Sequence, residues 1–203
     1  MTVAPMFDRE LPREVAGPRS TGWWGMVLVI ITEAAFFTTL IASYFYLWSG
    51  SDSWPPPGIK APELVRPLIG TVLLAGCSTM MVLAERFVKS EHGRAALKIS
   101  LALTTLLAAF FLSIQAYEYS VSELALDDNA YASLFFVITG FHGLHVVVGL
   151  LMSIYLQLRV WKGHFSPRRY LAVQNVGLYW HFVDVVWLFV LLTVYITPNT
   201  LTR

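Results

Sequence analysis

Residues 131–158 read YASLFFVITGFHGLHVVVGLLMSIYLQL, a run without Asp, Glu, Lys or Arg. It is too long for a strand and has no alternating pattern. A helix rises about 1.5 Å per residue, and roughly 20 apolar residues cross the hydrocarbon of a bilayer. This stretch therefore reads as a membrane-spanning helix. Four more stretches meet the same measure, at about 24–47, 67–87, 95–115 and 171–196. Composition agrees, because 56% of the 203 residues are hydrophobic and only 13% are charged, about half the usual charged share of roughly 25%. The spacing thus predicts an all-α polytopic membrane protein, a bundle of five transmembrane helices. Residues 1–22 are expected to form a polar tail, and 23–203 one membrane domain.

The loops give each side of the membrane a charge. Arg9, Arg13 and Arg19 precede the first span; Arg86, Lys89, Arg94 and Lys98 follow the second; Arg159, Lys162, Arg168 and Arg169 follow the fourth. Only Lys60, Arg66 and Arg203 fall on the other side. Eleven basic residues against three place the N-terminus in the cytoplasm and the C-terminus outside. A formal net charge of +1 leaves no basic face for nucleic acid, and the lone Cys77 excludes a disulfide framework and a Cys-based zinc or iron–sulfur site. Trp54-Pro55-Pro56-Pro57-Gly58 reads as a stiff outer loop ending in a turn. Asp127 or Asp128 is the expected cap of the fourth helix, and Ser166-Pro167 the expected start of the fifth. Ala34/Thr38/Ala42 and Thr71/Ala75/Thr79 are expected as close-packing stripes.

Ionisable groups within a span are costly and mark candidate sites. Glu33 lies at mid-depth in the first span, His142 and His145 in the fourth, and His181 and Asp184 in the fifth; Gln115 and Glu118 lie toward the outer end of the third. Three readings compete. His142/His145 and His181/Asp184 are paired at i,i+3 and with Glu33 offer a metal site. Against this, the chain holds only five histidines and no Glu-x-x-His pair. Glu33, His142 and His181 are alternatively a proton or ion relay, in which case the chain is a small membrane ion transporter. In the third reading these groups form a buried polar network that hydrogen-bonds across helices and fixes their packing. The third fits the residues best, and it predicts no catalytic residue and no metal or cofactor held by this chain.

Five motifs carry a resemblance. Trp24-Gly25 with Thr32-Glu33-Ala34-Ala35-Phe36-Phe37, then Trp54-Pro55-Pro56-Pro57-Gly58-Ile59, then Gln115-Ala116-Tyr117-Glu118-Tyr119 come first. Phe135 to Val146, with His142-Gly143-Leu144-His145, and Tyr179-Trp180-His181-Phe182-Val183-Asp184-Val185-Val186-Trp187 complete the set. In this order they resemble the cytochrome c oxidase subunit III family of haem-copper terminal oxidases, in its short five-helix form. The resemblance implies a non-catalytic core subunit of a proton-pumping aerobic oxidase. It implies that the chain packs on catalytic subunit I, with subunits II and IV as further partners, holds structural phospholipid, and supports proton uptake. Haem and copper are then expected in the partner subunits, and cytochrome c or quinol meets this chain only through the complex. The implied location is the bacterial cytoplasmic membrane. Long members of the family carry two further N-terminal helices, and Gln174 stands where many have glutamate. Quinol oxidase subunit III and the subunit III-like proteins linked to nitric oxide reductase share the five-helix form; the well-kept Trp-Pro-Pro-Pro-Gly and Tyr-Trp-His-Phe-Val-Asp runs lean toward a cytochrome c oxidase.

Overall fold

The computed structural model describes residues 20–90, 92–167 and 169–200. Arg9, Arg13, Arg19, Arg168 and Arg203 of the orientation count, and most of the N-terminal tail, lie outside the described residues. Among the described residues, five helices are long and apolar enough to cross a membrane: α1 (Thr21–Ser49), α2 (Val65–Val88), α3 (Arg94–Val121), α4 (Ala130–Trp161) and α5 (Leu171–Val190) with its continuation to Thr200. Among the described residues there is no strand, only a single bridge between Ser166 and Arg169.

Each helix extends beyond its apolar run, because backbone hydrogen bonding continues through polar residues at the interface. The difference matters at α3, which runs on past Gln115 to Val121 and so carries Glu118 on a regular helix. The caps also differ from expectation. Ser20 caps α1 by accepting from Trp23 N–H at 3.1 Å. Asn129, rather than either aspartate, caps α4 by accepting from Ala132 N–H at 3.0 Å. Asp128 is engaged within the preceding loop, where Oδ2 accepts from Ala125 N–H at 2.6 Å. The last helix begins at Leu171 and not at Ser166, whose backbone pairs with Arg169.

α5 is the central element: 61% of its most apolar window is buried, against 6% for α1. It packs on α2, α4 and α1, while α3 lies between α2 and α4 and α1 also touches α4. Its aromatic side chains explain that position. Trp180 and Trp187 are fully buried and lie against the glycines of facing helices. At Gly149 a Cβ would meet the Trp180 ring at 3.0 Å, so α4 can approach α5 only with no side chain there. The Trp180 indole N–H donates to Ser153 Oγ at 3.0 Å, one turn along α4.

The buried face of α2 is Pro67, Gly70, Leu74, Cys77, Met81, Ala84 and Val88. Of the small-residue stripe expected on α2, Ala75 and Thr79 are exposed, and Thr71 alone reaches α5 by accepting from the Trp187 indole N–H at 2.9 Å. On α1, Thr38 and Ala42 also face outward. The Trp-Pro-Pro loop does turn at Gly58, with φ +88 and a bond from Ile59 N–H to Pro56 O of 3.1 Å. It is anchored rather than free. Trp54 is buried, donates to Tyr44 Oη at 2.8 Å, and stands edge-on to Tyr44 and Tyr131.

The end of the last span is π-helical over Leu191–Ile196, before a final α-turn Thr197–Thr200. Pro198 is the cause: it has no N–H, and its ring would collide with the carbonyl four residues back. Widening the preceding turns relieves the collision. The Leu192 carbonyl accepts from both the Thr197 N–H and its hydroxyl (2.9 Å). The wider turn also brings Thr193, Val194 and Tyr195 all to the buried side.

At the C-terminal end of α2, Lys89 donates to Glu85 at 2.8 Å and lies 5.0 Å over the Tyr170 ring, which ties α2 to the start of α5. The hydrogen bond to Glu85 raises the pKa of this ammonium above the ordinary lysine value. Gly149→Val should drive Trp180 off the α4 backbone and destabilise the purified protein by about 1–3 kcal/mol. A melting temperature equal to that of the parent would show that Trp180 can yield.

Candidate functional site

The seven candidate residues divide among four places in the bundle. Glu33 of α1 and His145 of α4 meet directly, with Nε2 and Oε2 3.1 Å apart. His145 Nδ1 lies 2.7 Å from the Phe141 carbonyl, which can only accept, so Nδ1 carries a proton. The Nε2–Oε2 contact then holds one further shared proton, either on the carboxyl or as imidazolium with carboxylate. Tyr179 of α5 donates to the His145 carbonyl at 3.0 Å, and the Phe37 ring edge packs on the imidazole. The pair opens onto a groove of about 450 Å³ between α1 and α4, whose other walls include Val29, Phe36, Leu144, Val148 and Met152.

His142 points elsewhere. It is 1% exposed, packed against Phe111 and Trp187, with Nε2 3.3 Å from the Val183 carbonyl of α5. The carbonyl accepts, so Nε2 carries the proton; Nδ1 has no hydrogen-bond partner among the described residues. His181 and Asp184 are also apart from both. The Ser78 hydroxyl of α2 lies 2.9 Å from His181 Nδ1. Asp184 Oδ1 is buried and has no hydrogen-bond partner among the described residues.

The fourth group is at the C-terminal end of α3. Glu118 of α3 is buried and its Oε2 accepts from Tyr195 Oη of the π-helical turn at 3.0 Å. Gln115, one turn below, lies beside Tyr195 and Tyr119. Tyr119 Oη and Thr139 Oγ1 are 2.7 Å apart; Thr139 gives its hydrogen to the Phe135 carbonyl, so the tyrosine is the donor. Glu118 also borders a cavity of about 720 Å³ under the Trp-Pro-Pro loop, with Arg66, Glu123 and Asp128 on its rim.

The metal and relay readings both need these groups to converge. Among the described residues no three His, Cys, Asp or Glu side chains are placed to share a metal ion. His142 and His181 face different neighbours, so they do not form a facing pair of haem ligands. Among the described residues, the ionisable groups that stand out in the sequence are therefore not gathered into one ligand set. Ser78, Tyr195, Tyr179 and Ser153 complete the polar contacts and were not singled out by the sequence. Each joins residues distant in the chain, such as Ser78 to His181, and leaves no local signature.

An all-helical bundle of five spans, with ionisable groups paired helix to helix at mid-membrane depth, defines a polytopic membrane protein whose polar interior ties its helices together. The family model for cytochrome c oxidase subunit III matches residues 19–198. The chain belongs to that family. It is 36% identical over 174 residues to cytochrome c oxidase subunit 3 of Synechocystis sp., covering 85% of this chain and 74% of the relative. The same-named proteins of Gallus gallus and Drosophila melanogaster are 35% and 36% identical, over 85% of this chain and 68% of each relative.

If Glu118 and Tyr195 act as one unit, Glu118→Gln and Tyr195→Phe will not add. A double-mutant cycle on thermal unfolding of the purified protein should give a coupling of about 0.5–1.7 kcal/mol. Strict additivity would mean that the two side chains are held independently.

Proposed function

We propose that this chain is a non-catalytic core subunit III of a proton-pumping aerobic haem-copper oxidase, a cytochrome c oxidase of the bacterial cytoplasmic membrane. The observation that carries the reading is the family match across residues 19–198. In this reading it packs on catalytic subunit I, with subunits II and IV nearby, and the redox chemistry stays in those partners. Its N-terminus faces the cytoplasm, as the basic loops after α2 and α4 favour.

The α1–α4 groove supports a role in holding lipid. Its walls are apolar except for Glu33, His145 and Tyr179, which suits a phospholipid acyl chain lying along the helices. The Glu33–His145 contact fixes α1 to the rest of the bundle at that groove and keeps a carboxyl from facing hydrocarbon unpaired. Support of proton uptake would then come from keeping α1, the least buried helix, in place beside the catalytic subunit.

Glu33→Gln preserves a hydrogen-bonding group opposite His145. In the purified oxidase it should leave assembly and haem reduction intact and lower initial turnover at most modestly, measured by haem difference spectra and oxygen uptake. Abolished haem reduction would overturn the non-catalytic assignment. Affinity purification of this chain in mild detergent should bring down a haem-bearing partner; its ability to oxidise cytochrome c rather than quinol separates the cytochrome c oxidase from a quinol oxidase. Ion flux through the chain reconstituted alone would instead favour a transporter.

A further inference from the structure

At the end of the bundle where α3 finishes and α2 and α4 begin, the connecting loops enclose the cavity of about 720 Å³. One wall is the Trp-Pro-Pro loop, held in place by the Trp54 bond to Tyr44 at 2.8 Å and by the turn at Gly58. The facing wall is the end of α3 and the loop over 122–129, which carries Glu123, Asp127 and Asp128 and no Lys or Arg. Four carboxyls line the space, those of Glu63, Glu118, Glu123 and Asp128, against two cations, Lys60 and Arg66. Arg66 is already engaged: it pairs with Glu63 at 3.2 Å and lies 5.5 Å over the Tyr117 ring. Lys60 alone then stands against three carboxyls.

Glu118 separates this cavity from a merely solvated acidic loop. It is only 7% exposed, and it forms part of the cavity wall. Oε2 accepts from Tyr195 Oη at 3.0 Å, which is the carboxyl's one hydrogen bond among the described residues, so Oε1 is unpaired. A carboxyl withdrawn from water with one oxygen unpaired is costly. A cationic donor seated in the cavity removes that cost and balances the excess of acid around it. Size and charge narrow the donor further. Among the described residues no three His, Cys, Asp or Glu side chains are placed to share a metal ion, and a water takes only about 30 Å³, so the space is far larger than one ion requires. A phospholipid headgroup brings a phosphate, which the acidic rim repels. A Lys or Arg on a polypeptide brings the cation alone, with flanking residues to fill the remaining volume.

We propose that this cavity is a docking site for an extramembrane segment of another subunit, which inserts a Lys or Arg side chain to pair with Glu118 Oε1, with Glu123 and Asp128 on the rim favouring its approach. Tyr195 holds the carboxyl in place for that contact, and the anchored Trp-Pro-Pro loop keeps the opposite wall formed before the partner arrives. The inference rests on the chain being part of a multi-subunit complex, and it specifies which end of the bundle meets a partner and by what chemistry.

The test uses the intact complex purified in mild detergent. Val121 is exposed and lies on the cavity wall. A benzophenone amino acid placed there should, on irradiation, cross-link to an extramembrane peptide of another subunit that contains Lys or Arg, read by mass spectrometry. Glu118→Gln should speed release of this chain on dilution into detergent by about tenfold. Because that change also touches the Tyr195 bond, Glu123→Lys on the exposed rim gives a second reading. It should speed release by about two- to fivefold and weaken its dependence on salt. Exchanging the cross-linked Lys or Arg for Glu in the Glu123→Lys background should restore retention. Adducts confined to lipid or to this chain, a cross-linked peptide without a basic residue, or unchanged release in both variants would each overturn the docking site. Stoichiometric Ca²⁺ bound by the parent complex and lost in Glu118→Gln, with no adduct to another subunit, would make the cavity a cation site instead. If the haem-bearing complex purifies intact while Val121 yields no such adduct, the docking site fails and the subunit III reading stands. If no haem-bearing subunit accompanies the chain, both fail.

Discussion

A polar group in hydrocarbon must find its partner inside the protein or on a neighbour. The arrangement of this bundle follows from that requirement. Backbone groups meet it by forming five long helices. Side chains meet it in pairs that cross between helices: Glu33 with His145, His142 with the Val183 carbonyl, Ser78 with His181, Glu118 with Tyr195, and Trp180 with Ser153. Apolar contact alone gives little preference between protein and lipid, so these pairs, together with close packing at Gly149, fix which helix lies against which.

The centre of the bundle is α5, and its aromatic residues explain why. Trp180 and Trp187 bring large rings and one donor each, and both donors are met by small hydroxyls on neighbouring helices, Ser153 and Thr71. Tyr195, which reaches Glu118, lies on the π-helical turn before Pro198. A proline near the end of the span thus accompanies a widened turn that carries a buried contact. Such a device fits a membrane protein, where neighbouring groups can satisfy the carbonyls that the proline releases.

The number of spans and the all-helical fold were legible in apolar runs. So were the seven candidate polar residues, because each stands out against its span. Their grouping was not legible. His142 and His145 share a face at i,i+3, yet three residues turn a helix through about 300°, so their side chains diverge by about 60°. One enters the core toward α5 and the other meets α1. The expected caps at Asp127, Asp128 and Ser166 failed for a related reason. Several polar residues compete for one helix end, and loop geometry gave the position to Asn129 and committed Asp128 to Ala125.

The sequence by itself determined that the chain crosses a membrane five times and which ionisable residues lie at depth, because length and charge are local properties measured against bilayer thickness. The ordered motifs determined the family. Only the tertiary structure decided that the polar residues form separate pairs rather than one network, that Trp54 plugs into α1 and α4, and that His181 faces outward. Those outcomes depend on the rotation of each helix about its axis. Rotation is set by contacts between residues far apart in the chain, such as Ser78 with His181, and no window of sequence contains both.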